Sequence, residues 1–132
     1  MRRESIDTNV LLRLLLKDIP EQHAKAKALI GQPGIIFMVS DTAMVELVFV
    51  LERHYCIGRH HIVEMVKALM GLGKLEISRT VLRGALETYE KSPRLSYEDC
   101  YLAQRAAASG STPLWTFDEK LARRSEHAEL LV

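Results

Sequence analysis

Four acidic residues, distant along the chain, have the type and setting to build a site of hard oxygen donors: Asp7, Glu46, Asp99 and Asp118. Asp7 lies in Ile6-Asp7-Thr8-Asn9-Val10-Leu11, where a strand gives way to a helix. Asp118 follows the apolar run Leu114-Trp115-Thr116-Phe117 in the same manner. In open α/β sheets, ligands bind at the carboxyl ends of strands, so both junctions suit a site. Both equally suit a helix N-cap, because short polar side chains accept hydrogen bonds from the free N–H groups of a first turn. Asp99 follows Ser96 by three residues, the spacing of a capping box, in a turn where the helix dipole favours acids. Its neighbour Glu98 is a rival, and helix phase should turn only one of the two inward. Glu46 stands in Ala43-Met44-Val45-Glu46-Leu47-Val48-Phe49-Val50-Leu51, which is apolar on every face. That helix is expected to be buried, and a buried carboxylate is costly without a counter-charge. A functional acid is one reading of Glu46; an edge residue paired with Arg53 or His54 is the other.

Taken together, the four acids point to a divalent cation. Ions such as Mg2+ take oxygen ligands, mostly carboxylate and water. No cluster of histidine or cysteine offers a softer site. The run Arg59-His60-His61 lacks helical ligand spacing and reads as a solvated basic surface. Gathered carboxylates repel one another, and a dication removes that penalty. It also acidifies a bound water molecule. Thr116, two residues before Asp118, can add a hydroxyl on the same side.

Short apolar runs alternate with helical patterns, the sign of βα units around a mostly parallel sheet. The first strand is expected near Arg3–Ile6 and a helix over Val10–Leu16. Asp18-Ile19-Pro20-Glu21 starts a helix that runs to about Ile30. Ile35–Val39 is a buried strand by its β-branched and aromatic content. Ser40 or Asp41 caps a long helix reaching about Tyr55, and Arg59–Met70 is another. Leu75–Ile77 is a short strand, Val81–Lys91 a helix, and Ser96 starts a helix that Gly110 stops after Ser109. Leu114–Phe117 is a strand, Asp118–Arg124 a short helix, and Leu130–Val132 the last strand.

A chain of 132 residues with 48% apolar and 27% charged residues fits one domain with a real core. No apolar run is long enough for a membrane span. The opening Met1-Arg2-Arg3 and the apolar residues after it are interrupted by Glu4, Asp7 and Arg13, so they read as mature structure in a cytoplasmic protein. Cys56 and Cys100 fit no CxxC pattern and are expected as buried reduced thiols; a disulfide or metal pair is the alternative. The net charge of +1 taken alone argues against a polyanion partner. If four of the 17 acids serve a metal, 13 remain against 18 bases, and the rest of the surface is positive.

At the four acids the sequence resembles the PIN-domain family and, within it, the VapC-type toxin ribonucleases. The likeness rests on Asp7-Thr8-Asn9-Val10-Leu11-Leu12-Arg13, Val45-Glu46-Leu47-Val48, Tyr97-Glu98-Asp99-Cys100 and Thr116-Phe117-Asp118. Their order and spacing cover essentially the whole chain. The resemblance implies a three-layer α/β/α domain over residues 1–132 with a central, mostly parallel sheet. It implies a Mg2+ or Mn2+ site in which Asp7, Glu46, Asp99 and Asp118 are the acidic set and Asn9 and Thr116 are polar supports. It further implies cleavage of RNA (tRNA, rRNA or mRNA), a homodimer, and a small VapB-type antitoxin whose tail blocks the site. The helix Ala43–Leu51, or its neighbour Ile62–Met70, has the apolar surface for a dimer contact. Two features depart from the family pattern. Cys100 stands where a small residue usually follows the third acid, and Arg2-Arg3-Glu4-Ser5 is a polar lead-in, so the first strand should be short or at an edge.

Such a site would direct in-line attack of water at phosphorus, leaving a 5′-phosphate and a 3′-hydroxyl. Arg13, Lys120, Arg123 and Arg124 are candidates to hold the substrate, or else solvated helix charges. A DNA or structure-specific nuclease with the same metal site is an alternative, and so is a degenerate domain that only binds RNA or protein. An aspartyl-nucleophile phosphatase is disfavoured, because Asn9 holds the place of the second aspartate of its motif.

Overall fold

The computed structural model describes all 132 residues, Met1–Val132. Backbone contacts sort them into two compact units, Met1–Ile77 and Ser78–Val132. All paired strands are parallel, so the expected α/β class is the one observed.

The first unit runs β1 (Arg2–Ser5), α1 (Thr8–Leu15), α2 (Pro20–Ile30), β2 (Ile35–Met38), α3 (Asp41–Arg53), α4 (Arg59–Met70) and β3 (Leu75–Glu76). Its three strands lie in the order β1-β2-β3. The middle strand is the apolar one: Ile35 and Phe37 are buried and Ile36 and Met38 half-buried. β1 is short and polar and lies at the edge of this sheet, as its Arg-Arg-Glu-Ser sequence suggested. It is held by backbone bonds at both ends, Arg2 N–H to Gly34 O at 2.8 Å and Ile6 N–H to Met38 O at 3.1 Å. The Arg3 guanidinium also reaches Glu76 on β3.

Each helix starts where its sequence allows. Pro20 occupies the first turn of α2, where a missing N–H costs nothing. Of the two candidate caps for α3, the structure selects Ser40, whose hydroxyl accepts from Ala43 N–H at 3.1 Å. The buried residues of α3 are Ala43, Met44, Leu47, Val48 and Leu51. α1 packs on α3, and α3 on α4, which buries Ile62, Val63, Val66 and Leu69. The expectation that α3 is buried on every face is therefore corrected. Its other face carries Thr42, Glu46, Phe49 and Arg53, all exposed. After α3 the chain turns through Cys56 at a φ of 54°, in the left-handed region.

The second unit runs α5 (Arg79–Lys91), α6 (Tyr97–Ala108), β4 (Leu114–Thr116), α7 (Glu119–Arg124) and β5 (Ala128–Leu130). α5 buries Val81, Leu82, Ala85, Leu86 and Tyr89 and packs closely on α6. A β-carbon at Gly84 would collide with the side chain of Gln104, so glycine permits this approach. Arg105 braces the pair by donating to the Ser78 hydroxyl at 3.0 Å. β4 and β5 pair from Leu114 opposite Ala128 to Thr116 opposite Leu130. The last strand thus lies two residues earlier than expected, because pairing with β4, not apolar character, sets its position. No helix is long and apolar enough to cross a membrane.

Candidate active site

In the first unit, Asp7 closes the turn from β1 into α1. Its backbone is extended, and Oδ1 accepts from Val10 N–H at 3.2 Å, so it is the N-cap of α1. Capping uses one carboxylate oxygen and leaves Oδ2 without a hydrogen bond. Thr8 follows as a buried polar residue. Its hydroxyl lies 3.1 Å from Ala43 O and 3.2 Å from Glu46 Oε2, and so ties α1 to α3 at the level of the acid. Asp7, Thr8, Asn9 and Glu46 line one cavity of about 280 Å3, with the hydroxyl residues Ser40 and Thr42. Two acids 39 positions apart in the sequence therefore face the same space. Glu46 is exposed, not buried as the apolar run around it suggested. It makes no ion pair with Arg53 or His54 either; its only partner is a neutral hydroxyl.

In the second unit, Asp99 and Asp118 stand on different elements. The Ser96 hydroxyl caps α6 by accepting from Asp99 N–H at 3.1 Å. The Asp99 carboxylate is therefore not the cap and makes no hydrogen bond or ion pair. Helix phase separates it from its rival: Asp99 is half-buried and Glu98 exposed. Asp118 is the N-cap of α7, and its Oδ1 accepts from Lys120 N–H at 2.8 Å and Leu121 N–H at 3.3 Å. Thr116 braces the same turn by accepting from Asp118 N–H at 2.9 Å. The cap reading of Asp7 and Asp118 is thus correct as far as it goes, and in each case one carboxylate oxygen remains open.

No lysine or arginine pairs with any of the four acids. A hydroxyl or backbone N–H groups hold the carboxylates of Asp7, Glu46 and Asp118 without neutralising them. No group of three or more His, Cys, Asp or Glu side chains is gathered tightly enough to hold a metal ion alone. The pair Asp7 and Glu46 nevertheless suits Mg2+, which keeps several waters and binds through one or two carboxylates together with substrate phosphate. The donor set of the first unit, carboxylate with neutral hydroxyl and amide neighbours, fits that ion.

The bases divide into two kinds. Arg13 is engaged elsewhere: its guanidinium donates to Asp18 Oδ1 at 2.8 Å and to Tyr55 Oη at 2.9 Å, with only 11% of the side chain exposed. It is a strut between α1 and the end of α3, not a free hand for substrate. Lys120, Arg123 and Arg124 are exposed on α7 and have no carboxylate partner. Sequence reasoning passed over Thr8 as a positioning group, since nothing in the linear pattern shows it facing a residue 38 positions away. The cysteines are both free; Cys100 is buried as expected, but Cys56 is exposed.

No curated protein is similar enough to the chain to match it. The family model described as PIN domain matches residues 5–126, a span that includes all four acids. By that match, which covers nearly its full length, the chain belongs to the PIN domain family.

Proposed function

We propose that this protein is a divalent-metal-dependent endoribonuclease, the toxin of a type II toxin–antitoxin pair of the VapC type. PIN domains are generally metal-dependent nucleases that act on nucleic acid. The observation that carries the reading is the placement of Asp7 and Glu46 on one cavity with no cation of the protein to balance them. A divalent cation bound there would balance both charges. The acidic set is Asp7, Glu46, Asp99 and Asp118, with Asn9 and Thr116 in support. The RNA reading rests on the resemblance of Asp7-Thr8-Asn9 and Thr116-Phe117-Asp118 to VapC-type ribonucleases. The same resemblance supports a cytoplasmic homodimer held in check by a VapB-type antitoxin.

A bound Mg2+ or Mn2+ would supply Lewis acidity at the phosphate and acidify a water molecule. The protein's own part is positional. The Thr8 hydroxyl holds Glu46 Oε2, and the cap bond from Val10 N–H holds Asp7 Oδ1, so each carboxylate keeps its other oxygen free of a hydrogen bond. Water attacks phosphorus in line, the P–O3′ bond breaks, and the products carry a 5′-phosphate and a 3′-hydroxyl. The 2′-hydroxyl takes no part.

The test is digestion of tRNA, rRNA, mRNA and single-stranded DNA in parallel, in Mn2+, in Mg2+ and in EDTA, followed by mapping of the product ends. Metal-dependent RNA fragments with 5′-phosphates are expected. A 2′,3′-cyclic phosphate would reject the mechanism, and cleavage of DNA alone would reject the substrate. RNA binding with no cleavage in either metal would leave only a binding domain.

A further inference from the structure

The exposed face of α3 carries more than an acid. Glu46, Phe49 and Arg53 are spaced by three and four residues and so form one stripe along the helix. At about 1.5 Å of rise per residue, their Cα atoms are spaced about 4.5 Å and then about 6 Å along the axis. All three line a second cavity of about 410 Å3, which shares Thr8, Asn9 and Glu46 with the smaller one. Phe49 is 60% exposed, unusual for a phenylalanine in mid-helix. The Arg53 guanidinium lies 5.6 Å from the centre of its ring, a cation–π arrangement that covers one face of the ring. No carboxylate pairs with Arg53, so its in-plane N–H donors remain free for a phosphate.

We propose that this stripe is a nucleoside subsite for single-stranded RNA: Phe49 stacks the base beside the scissile phosphate, and Arg53 holds the next phosphate along the strand. The proposal rests on the ribonuclease reading, which puts the scissile phosphate near Glu46. The order acid, flat ring, cation repeats the order of a strand lying along it: cleaved phosphate, base, phosphate. A base can stack on a protein ring only when it is free of its own helix, which selects single strands. The lining also argues for a nucleic acid over a protein surface. The unpaired cation, the Asn9 amide and the His54 imidazole are groups that a dry protein–protein core would leave unsatisfied. A polyanion with a flat apolar base satisfies the ring and the cation together.

The chain has a single tryptophan, Trp115, which makes a direct test possible. In full-length protein carrying Trp115→Phe and Phe49→Trp, the only indole sits at the subsite. Its emission is titrated, with Ca2+ in place of Mg2+, against a short oligoadenylate and against an abasic ribose-phosphate chain of equal length. Quenching by the base-bearing strand and not by the abasic one is expected. Equal quenching by both, or by neither, overturns the proposal. In the otherwise native chain, Phe49→Ala should weaken oligoadenylate binding roughly 5- to 150-fold. Arg53→Gln should lower the slope of log affinity against log salt by about 0.7, one phosphate contact on a single strand. If Phe49→Ala leaves RNA affinity unchanged and turns a dimer into a monomer, the face belongs to a second copy and the proposal fails. Quenching without metal-dependent cleavage would keep the subsite and remove the nuclease. Cleavage without quenching would remove the subsite alone.

Discussion

Asp118 offers a clean separation between holding the fold and doing chemistry, because its two oxygens are used differently. Oδ1 accepts two N–H groups at the start of α7, one short at 2.8 Å and one long at 3.3 Å. Replacing Asp118 by alanine removes both bonds, and the loss of such a cap costs about 1 kcal/mol. It also removes a negative charge from a helix N-terminus, about another 0.3–1 kcal/mol. Asp118→Asn keeps an amide oxygen for the cap and loses only the charge. For a chain of this length, 1 kcal/mol shifts the melting temperature by roughly 3–5 °C. Alanine should then lower it by about 4–10 °C and asparagine by about 1–5 °C. A loss of about 2 kcal/mol leaves even a marginal domain about 99% folded at 25 °C, so unfolding cannot account for a large loss of cleavage there. If the open oxygen binds metal, both variants should lose cleavage by about 100-fold or more, since even outer partners of a metal site are worth 10- to 100-fold. The assay is melting by circular dichroism beside end-labelled RNA cleavage in Mn2+. Full activity in Asp118→Asn would show that the residue is a cap and nothing else.

Asp7→Asn also preserves a cap, here to Val10 N–H, and removes one of two like charges facing the same cavity. Cleavage should be abolished and the melting temperature in metal-free buffer should rise; a fall in the folded variant would count against crowded acids. Tyr55→Phe deletes the hydroxyl that joins Arg13 and Asp18, with bonds of 2.9 and 3.2 Å, and should cost about 1 kcal/mol. A lower urea midpoint at unchanged slope is the expected readout, and an unchanged midpoint would deny Arg13 its role as a strut. Cys56 is exposed at a φ of 54°, a conformation that costs an L-residue about 1–2 kcal/mol. Cys56→Gly relieves that cost and adds entropy to the unfolded chain, so a net gain of up to about 1 kcal/mol is expected. Destabilisation would mean that the turn is not left-handed in solution.

The helices were readable because their starts and faces are written locally. Pro20, Ser96 and the glycines after Ile30, Met70 and Ser109 mark ends that the folded chain respects. Glu46 was misplaced by counting apolar residues and neglecting their phase. The set Ala43, Met44, Leu47, Val48 and Leu51 repeats at helical spacing, and that repeat alone turns Thr42, Glu46, Phe49 and Arg53 outward. The signal was present, but Val45, Phe49 and Val50 on the flanks obscured it. The last strand was misplaced for a different reason. Ala128-Glu129-Leu130 has little apolar character, and it is a strand because β4 offers three parallel partners. Thr8 belongs with it: a hydroxyl next to Asp7 reads as a cap candidate, and only folding shows it donating toward α3.

Cap and metal ligand are not exclusive roles at Asp7 and Asp118, because capping leaves one carboxylate oxygen of each without a hydrogen bond. A turn from strand to helix exposes backbone N–H groups that need an acceptor, and aspartate supplies one with half of its carboxylate. The same turn lies at the carboxyl end of a strand, where α/β folds place ligands. The positive end of the helix dipole partly offsets the repulsion of acids gathered without a cation. Aspartate therefore does at these junctions what glutamate would do poorly: it is short enough to cap and still has an oxygen to spare. Asp99 lies in the first turn of α6, where the dipole favours an acid and Ser96 caps its N–H. Glu46 lies beyond the first turn of α3, where no N–H needs a side-chain cap, and Ser40 caps that helix instead. An acid in such a position, neither cap nor partner of a base, is the harder to explain by stability alone. By that measure Glu46, weaker as a motif, speaks more strongly for a metal than the two aspartates that the sequence makes conspicuous.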